Sequence, residues 1–268
     1  FRRVLFRSFA TKPGVVEVAW RRMGGSATRP GPRSETSIGL FTGGDVNEGL
    51  DLQGSFAYAL NFGGASAGMV GDANFVGDNS SSGTGLTLTN GAVLTAQNKI
   101  DSWVVPNFGN TANDQRLSEI TRSIRWSSNP SKPTVDLAVT SGTRYKLQLL
   151  FVEVPGNKRG FNVLVGGQTV AANFIPADYV ASGTSNQGTK GVGVVVTHIF
   201  LASASTIRIE LDGAAATNPL LTDRNPVISG LTLERLESAA DTTVPEAIQD
   251  SGIWYPLFRQ RQIGRAHV

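Results

Sequence analysis

The sequence predicts an all-β fold, a β-sandwich or jelly roll, on three observations. Apolar and polar residues alternate with period two over several short runs, as they do in half-buried strands. Clusters of Gly, Asn, Asp, Ser and Pro punctuate these runs at even intervals. The only briefly helical stretch is Ala112 to Glu119, so the strands must cover one another.

The elements follow in order. Residues 9–35 hold Pro13, Pro30, Pro32, Gly24, Gly25 and Gly31 with little periodicity and read as linker or upstream sequence. The domain is expected over 36–238, with residues 239–261 as a second linker. Phe56 to Phe62 alternates large and small residues, and Thr121 to Trp126 is β-like. Thr134 to Val139, Arg144 to Val154, Phe161 to Val165 and Gln168 to Phe174 read as strands, as do Gly191 to Ala202, Thr206 to Leu211 and Val227 to Leu236. Gly166-Gly167 between two of these runs is a two-residue hairpin signal. Gly77 to Asn90, rich in Gly, Ser, Thr and Asn, is expected to be a surface loop or edge hairpin.

Residues 1–8 lack the apolar run and cleavage site of a signal peptide. DNA that would encode them, and DNA that would encode 262–268, resembles the two arms of a sequencing adapter in inverted orientation. Both stretches are therefore expected to be extraneous.

The chain carries 24 Lys and Arg against 21 Asp and Glu, a net charge of +3. That excess belongs to the ends. Between residues 36 and 238 there are 13 basic and 16 acidic side chains, so no basic stripe invites nucleic acid. A body of this size buries about 70% of its unfolded surface and needs no staples. The absence of cysteine excludes disulfides, thiolate zinc sites and cysteine nucleophiles. No apolar run reaches the roughly 18 residues of a membrane span.

Four segments resemble malectin-like domains: Tyr58-Ala-Leu-Asn-Phe-Gly-Gly64, where a strand ends in Asn-x-Gly-Gly; Thr121 with Arg125-Trp126; Tyr145 to Glu153 followed by Arg159 to Gly167; and Asp223-Arg-Asn-Pro-Val-Ile-Ser-Gly-Leu231. The resemblance keeps order over some 180 residues. It implies a galactose-binding-like jelly roll in a larger exported or cell-surface protein of an environmental bacterium, with carbohydrate as partner. In malectin, loop aromatics and an Asp at one end of the sandwich hold a short glucose-containing glycan. Asp223 matches that Asp, although Arg224 is inserted before Asn225, and Trp126 matches an aromatic position. The aromatic-rich loop that follows in the family is replaced by Ser127-Ser-Asn-Pro-Ser-Lys-Pro133, so glucose specificity does not carry over.

Sugar binding requires exposed rings to stack on the pyranose face and planar polar groups to fix hydroxyls. The candidate ligand-binding residues are Trp126, Asp223, Asn225, Trp103 and Tyr179, with Phe108 and Asp178 in similar loop-like contexts. Arg224 is expected either to pair with a sugar acid or to be solvated. Asp45, Asn47 and Asp51 place oxygens at alternating positions and would suit a structural calcium. The fifth position of a calcium loop is Gly49, however, and the closing Glu is absent, so a solvated turn is the preferred reading. No other cofactor is expected.

Catalysis is not expected. Gly64-Ala-Ser66-Ala-Gly68 matches a nucleophile elbow in spelling, but no helix follows and no histidine is placed to serve it. His198 lies within a strand run, cannot supply a zinc site alone, and reads as a strand histidine with one exposed face. Nothing in the sequence selects a carboxylate pair for glycoside hydrolysis. A structural or adhesive spacer, or an accessory domain of a glycoside hydrolase, are the alternatives to a carbohydrate-binding module.

Overall fold

The computed structural model describes residues 34–78, 86–89, 107–153, 156–180 and 191–236, the segment 86–89 as backbone only. The readings of residues 1–33 and 237–268, and of Trp103, lie outside them. In chain order the elements are β1 Glu35–Phe41, β2 Phe56–Asn61, β3 Gly68–Val70, β4 Ala73–Gly77, β5 Leu86–Thr89, α1 Ala112–Thr121, β6 Arg125–Trp126 and β7 Thr134–Ala138. They continue with β8 Arg144–Phe151, β9 Phe161–Val165, β10 Gln168–Phe174, β11 Gly193–Leu201, β12 Thr206–Asp212, β13 Val227–Ile228 and β14 Gly230–Leu236.

Period-two patterning decides how these strands stack. On β7, β9 and β12 the residues Val135, Leu137, Phe161, Val163, Val165, Ile209 and Leu211 are buried, while Asp136, Asn162, Leu164 and Arg208 between them are more exposed. The buried set joins Tyr145, Leu147, Leu149 and Phe151 of β8 and Leu231 and Leu233 of β14 in one core. Two sheets enclose it, a seven-stranded one in the order β1-β11-β8-β14-β2-β4-β3 and a five-stranded one in the order β10-β9-β12-β7-β5. The fold is a β-sandwich, as the alternation predicts.

The central strand β8 is buried on both faces. Its outer side chains lie under the segment 42–54, where Leu50 and Leu52 are buried. The Asp51 backbone N–H donates to Gln148 Oε1 at 3.1 Å, and Gln148 Nε2 donates to the Asp51 carbonyl at 2.7 Å. Lys146 Nζ pairs with Asp51 at 2.6 Å and with Glu234. Helix α1 covers the same face further along, and a Cβ on Gly230 would stand 3.2 Å from Ile120. Its N-terminus is capped by Thr111, whose Oγ1 accepts from the Asp114 N–H at 3.1 Å.

The register fixes the two poles of the sandwich. Glu35, Ile199, Lys146 and Glu234 form one transverse row across β1, β11, β8 and β14. The start of β1 and the end of β14 therefore share a pole, and β8 runs away from it toward Glu153 and the loops at the other.

Several readings are corrected. Thr121 belongs to α1, because its Oγ1 donates to the Leu117 and Ser118 carbonyls at 2.9 and 3.3 Å; only Arg125 and Trp126 are strand, paired with β13. Val227 to Leu236 is interrupted at Ser229, which bonds to Leu150 and Phe62 instead of continuing one ladder. Gly68 to Gly77 forms the hairpin β3–β4, and Ser66 Oγ accepts the Gly77 N–H at 3.1 Å, so Ser66 is a loop hydroxyl with a strand after it. His198 is in a strand but buried, at 6% exposure. Its register partners are Leu147 and Thr36, on the core side of the sheet. Gly166-Gly167 does close the β9–β10 hairpin, both with positive φ (57° and 79°) and with Val165 facing Gln168.

Candidate functional site

The site is built from the loop pole inward. Phe151, Phe161 and Phe174 pack with ring centroids 5.0 to 5.9 Å apart, closing the core there. After β10, Pro176–Asp178 makes one 3-10 turn, with Pro at its start fixing the backbone. It delivers Tyr179 against Phe174 at 5.7 Å, with 43% of the residue exposed. Asp178 meets Lys158 Nζ at 2.5 Å, tying this turn to the β8–β9 connection.

Asp223 is held by its neighbours. Arg159 donates to its Oδ2 from Nε and Nη2, each at 2.9 Å, and the Asn225 N–H donates to Oδ1 at 2.8 Å. The Asp223 carbonyl accepts from the Gly160 N–H at 2.9 Å. Arg159 also pairs with the buried Glu153 at 3.3 Å, so the guanidinium lies between two carboxylates. Glu153, just past the end of β8, thus serves as a buried ion-pair partner. Asn225 Oδ1 accepts the Asn129 N–H at 2.9 Å, and the Ser127 N–H reaches the Pro226 carbonyl at 3.3 Å. These bonds lock the 127–131 loop to the 223–226 loop beside Trp126.

Trp126 is half-buried and packs on the core. It is anchored by the residue before it. Arg125 Nε donates to Asp78 Oδ2 at 2.5 Å, with side-chain exposures of 8% and 0%, and the Gly63 N–H donates to Asp78 Oδ1 at 3.0 Å. The Asn-x-Gly-Gly motif completes this joint. Gly63 has φ of 72°, and a Cβ there would lie 2.2 Å from the Ile124 carbonyl oxygen. Asn61 bonds to Ala65 and Ser123 at 2.8 and 2.7 Å.

Four of the five predicted ligand residues, Trp126, Tyr179, Asp223 and Asn225, thus fall on one loop pole. Phe108 does not join them; it is fully buried against Phe41 at 5.2 Å. The residues missed are Lys158 and Arg159. No sequence signal ties Arg159 to a carboxylate 64 positions away.

The predicted calcium ligands have different surroundings. Asp45, Asn47 and Asp51 line a groove of about 380 Å³ along residues 44–53. Asp51, however, is engaged by Lys146, and Asn47 is exposed with a left-handed φ of 72°. The carboxylates that do converge, within 4.8 Å of one another, are Asp45, Glu48 and Asp114. Gly44 and Asn113 donate to two of them, at 3.0 and 2.8 Å. Calcium takes six to eight oxygens, so three carboxylates would need bidentate contacts, backbone carbonyls or waters to complete its shell.

Elsewhere, burial pushes the His198 imidazole below its ordinary value, outweighing a backbone hydrogen bond at Glu35 that acts the other way. On the outer face of the five-stranded sheet, the hydrogen bond from Arg208 holds Asp136 below the usual carboxylate range. No described helix is long and apolar enough to cross a membrane.

No protein-family profile matches the chain. No curated protein matches it either. Among solved structures, it is similar to a plant receptor-like kinase, ANX2, at TM-score 0.48 and 16% identity, over 69% of this chain and 49% of that one. It is likewise similar to the ANXUR1 extracellular domain from Arabidopsis thaliana, at TM-score 0.46 and 16% identity, over 75% and 54%. A third is the plant peptide RALF23 in complex with FER and LLG2, at TM-score 0.43 and 14% identity, over 70% and 43%. The chain spans about half the length of these solved chains.

Proposed function

We propose that this domain is a non-catalytic carbohydrate-binding module of a larger extracellular or cell-surface protein, and that it takes its ligand at the loop pole. The observation that carries the reading is the half-exposed ring of Tyr179 on the same pole as Trp126 and a fringe of polar groups from Lys158, Asp178, Arg224 and Asn225. Rings offer a stacking surface to the apolar face of a sugar, and charged or amide groups offer bonds to its hydroxyls. The rigid cross-linking of the 127–131, 156–160 and 221–226 loops supports it as well, since a preorganised site loses less entropy on binding.

The test is a glycan-array experiment on the whole chain, run with and without calcium because of the carboxylates at Asp45, Glu48 and Asp114. Selective retention of one glycan class is expected. A folded domain silent on every glycan would leave a structural or adhesive spacer as the better account. That second reading has its own support, because Asp223 and Asn225 already use their side chains to hold the protein together.

A further inference from the structure

We propose that Arg224, rather than Asp223, is the charged residue this pole offers to its ligand, and that the ligand class is a saccharide bearing a carboxylate. The inference rests on the carbohydrate reading above and specifies its chemistry.

Three observations lead to it. First, Asp223 has little left to give. Arg159 takes one oxygen through two N–H groups and the Asn225 N–H takes the other, so a sugar hydroxyl at Asp223 must compete with an ion pair. Second, the cations of this pole are otherwise committed: Lys158 to Asp178, and Arg159 to Glu153 and Asp223. Arg224 is half-buried, yet among the described residues it makes no hydrogen bond or ion pair. Third, the residue is held firmly in the loop. Its neighbours on both sides turn their side chains onto protein partners, and a Cβ on Gly213 would fall 1.8 Å from the Arg224 carbonyl oxygen. The backbone is thus clamped while the guanidinium is unspent.

An unpaired guanidinium on a fixed backbone suits a carboxylate, which it meets through two parallel N–H bonds. A neutral sugar offers no such partner. The exposed Tyr179 ring favours a saccharide over an acidic peptide, because it can stack on the pyranose that carries the acid.

The experiment measures binding of the full chain to three probes: a hexuronate oligosaccharide, the same oligosaccharide after reduction of its carboxyl groups, and a polyglutamate peptide. Wild type is expected to prefer the hexuronate to its reduced form by about tenfold or more, the effect of one charged hydrogen-bonded contact. Arg224→Gln is expected to remove that preference while melting with the wild type, and Arg224→Lys to restore part of it. Rising salt should weaken wild-type binding to the hexuronate, which keeps the inference testable should the Gln variant fold poorly. Equal affinity for the acidic and reduced sugars would overturn the inference and leave the carbohydrate reading standing. So would a preference that survives Arg224→Gln. Retention of polyglutamate without either sugar, or of no probe and no arrayed glycan, would overturn both.

Discussion

Replacing Asp78 by Ala would remove one partner of an ion pair whose carboxylate side chain is 0% exposed and whose guanidinium is 8% exposed. Arg125 would lose that carboxylate in a place largely closed to water, and the Gly63 N–H would lose the acceptor it meets at 3.0 Å. Breaking a buried pair in this way costs about 3–5 kcal/mol, a large part of the roughly 5–15 kcal/mol by which domains are stable. With a urea slope of about 2 kcal/mol/M, the unfolding midpoint should fall by about 1.5–2.5 M. The assay is urea denaturation followed by tryptophan fluorescence, with Asp78→Leu/Arg125→Met alongside, since removing both charges should recover most of the loss. The pair also holds β6, so the single variant should lose glycan retention before it unfolds globally. A midpoint shift below about 0.5 M would refute the reasoning, because the two charges would then be solvated or otherwise satisfied.

Other outcomes follow from single residues. His198 titrates lower when folded than unfolded, so its contribution is fully present above about pH 6.5 and is lost as pH falls through the depressed value. The denaturation midpoint of wild type should therefore fall between pH 7 and pH 5, and His198→Leu should flatten that slope; an unchanged slope would place the pH sensitivity elsewhere. Gly63→Ala should destabilise by about 2 kcal/mol or more, since it combines a φ of 72° with a contact at 2.2 Å; a melting temperature equal to wild type would contradict the close approach at Ile124. Trp126→Ala should cost about 2 kcal/mol for a half-buried ring and reduce glycan retention. Retention at the wild-type level would remove Trp126 from the site.

The strands easiest to read in the sequence are those whose two faces differ. On β7, β9 and β12 one face meets the core and the other water, so alternation is written into Thr134–Ala138, Phe161–Val165 and Thr206–Asp212. β1 was not legible because Glu35–Phe41 is an edge strand with little burial before Phe41, which leaves no apolar periodicity to detect. β3 and β4 were hidden by shortness and by the glycines around them, and the helical end at Thr121 by a hydroxyl that bonds back to its own turn. For the site, loop chemistry and a motif resemblance located Asp223, Asn225 and Tyr179. Their surroundings depend on partners distant in sequence, Arg159 above all, and periodicity carries no record of such pairings.

The shared pole of Glu35 and Glu234 has a mechanical consequence. Three strand spacings, about 14 Å, separate the point where the described chain enters its sheet from the point where it leaves. Tension applied through the flanking sequence would act across the strands, loading the β1–β11 ladder one hydrogen bond at a time from Glu35 inward, an unzipping geometry that yields at low force. The loops at the far pole would feel little of that pull until β1 had peeled away.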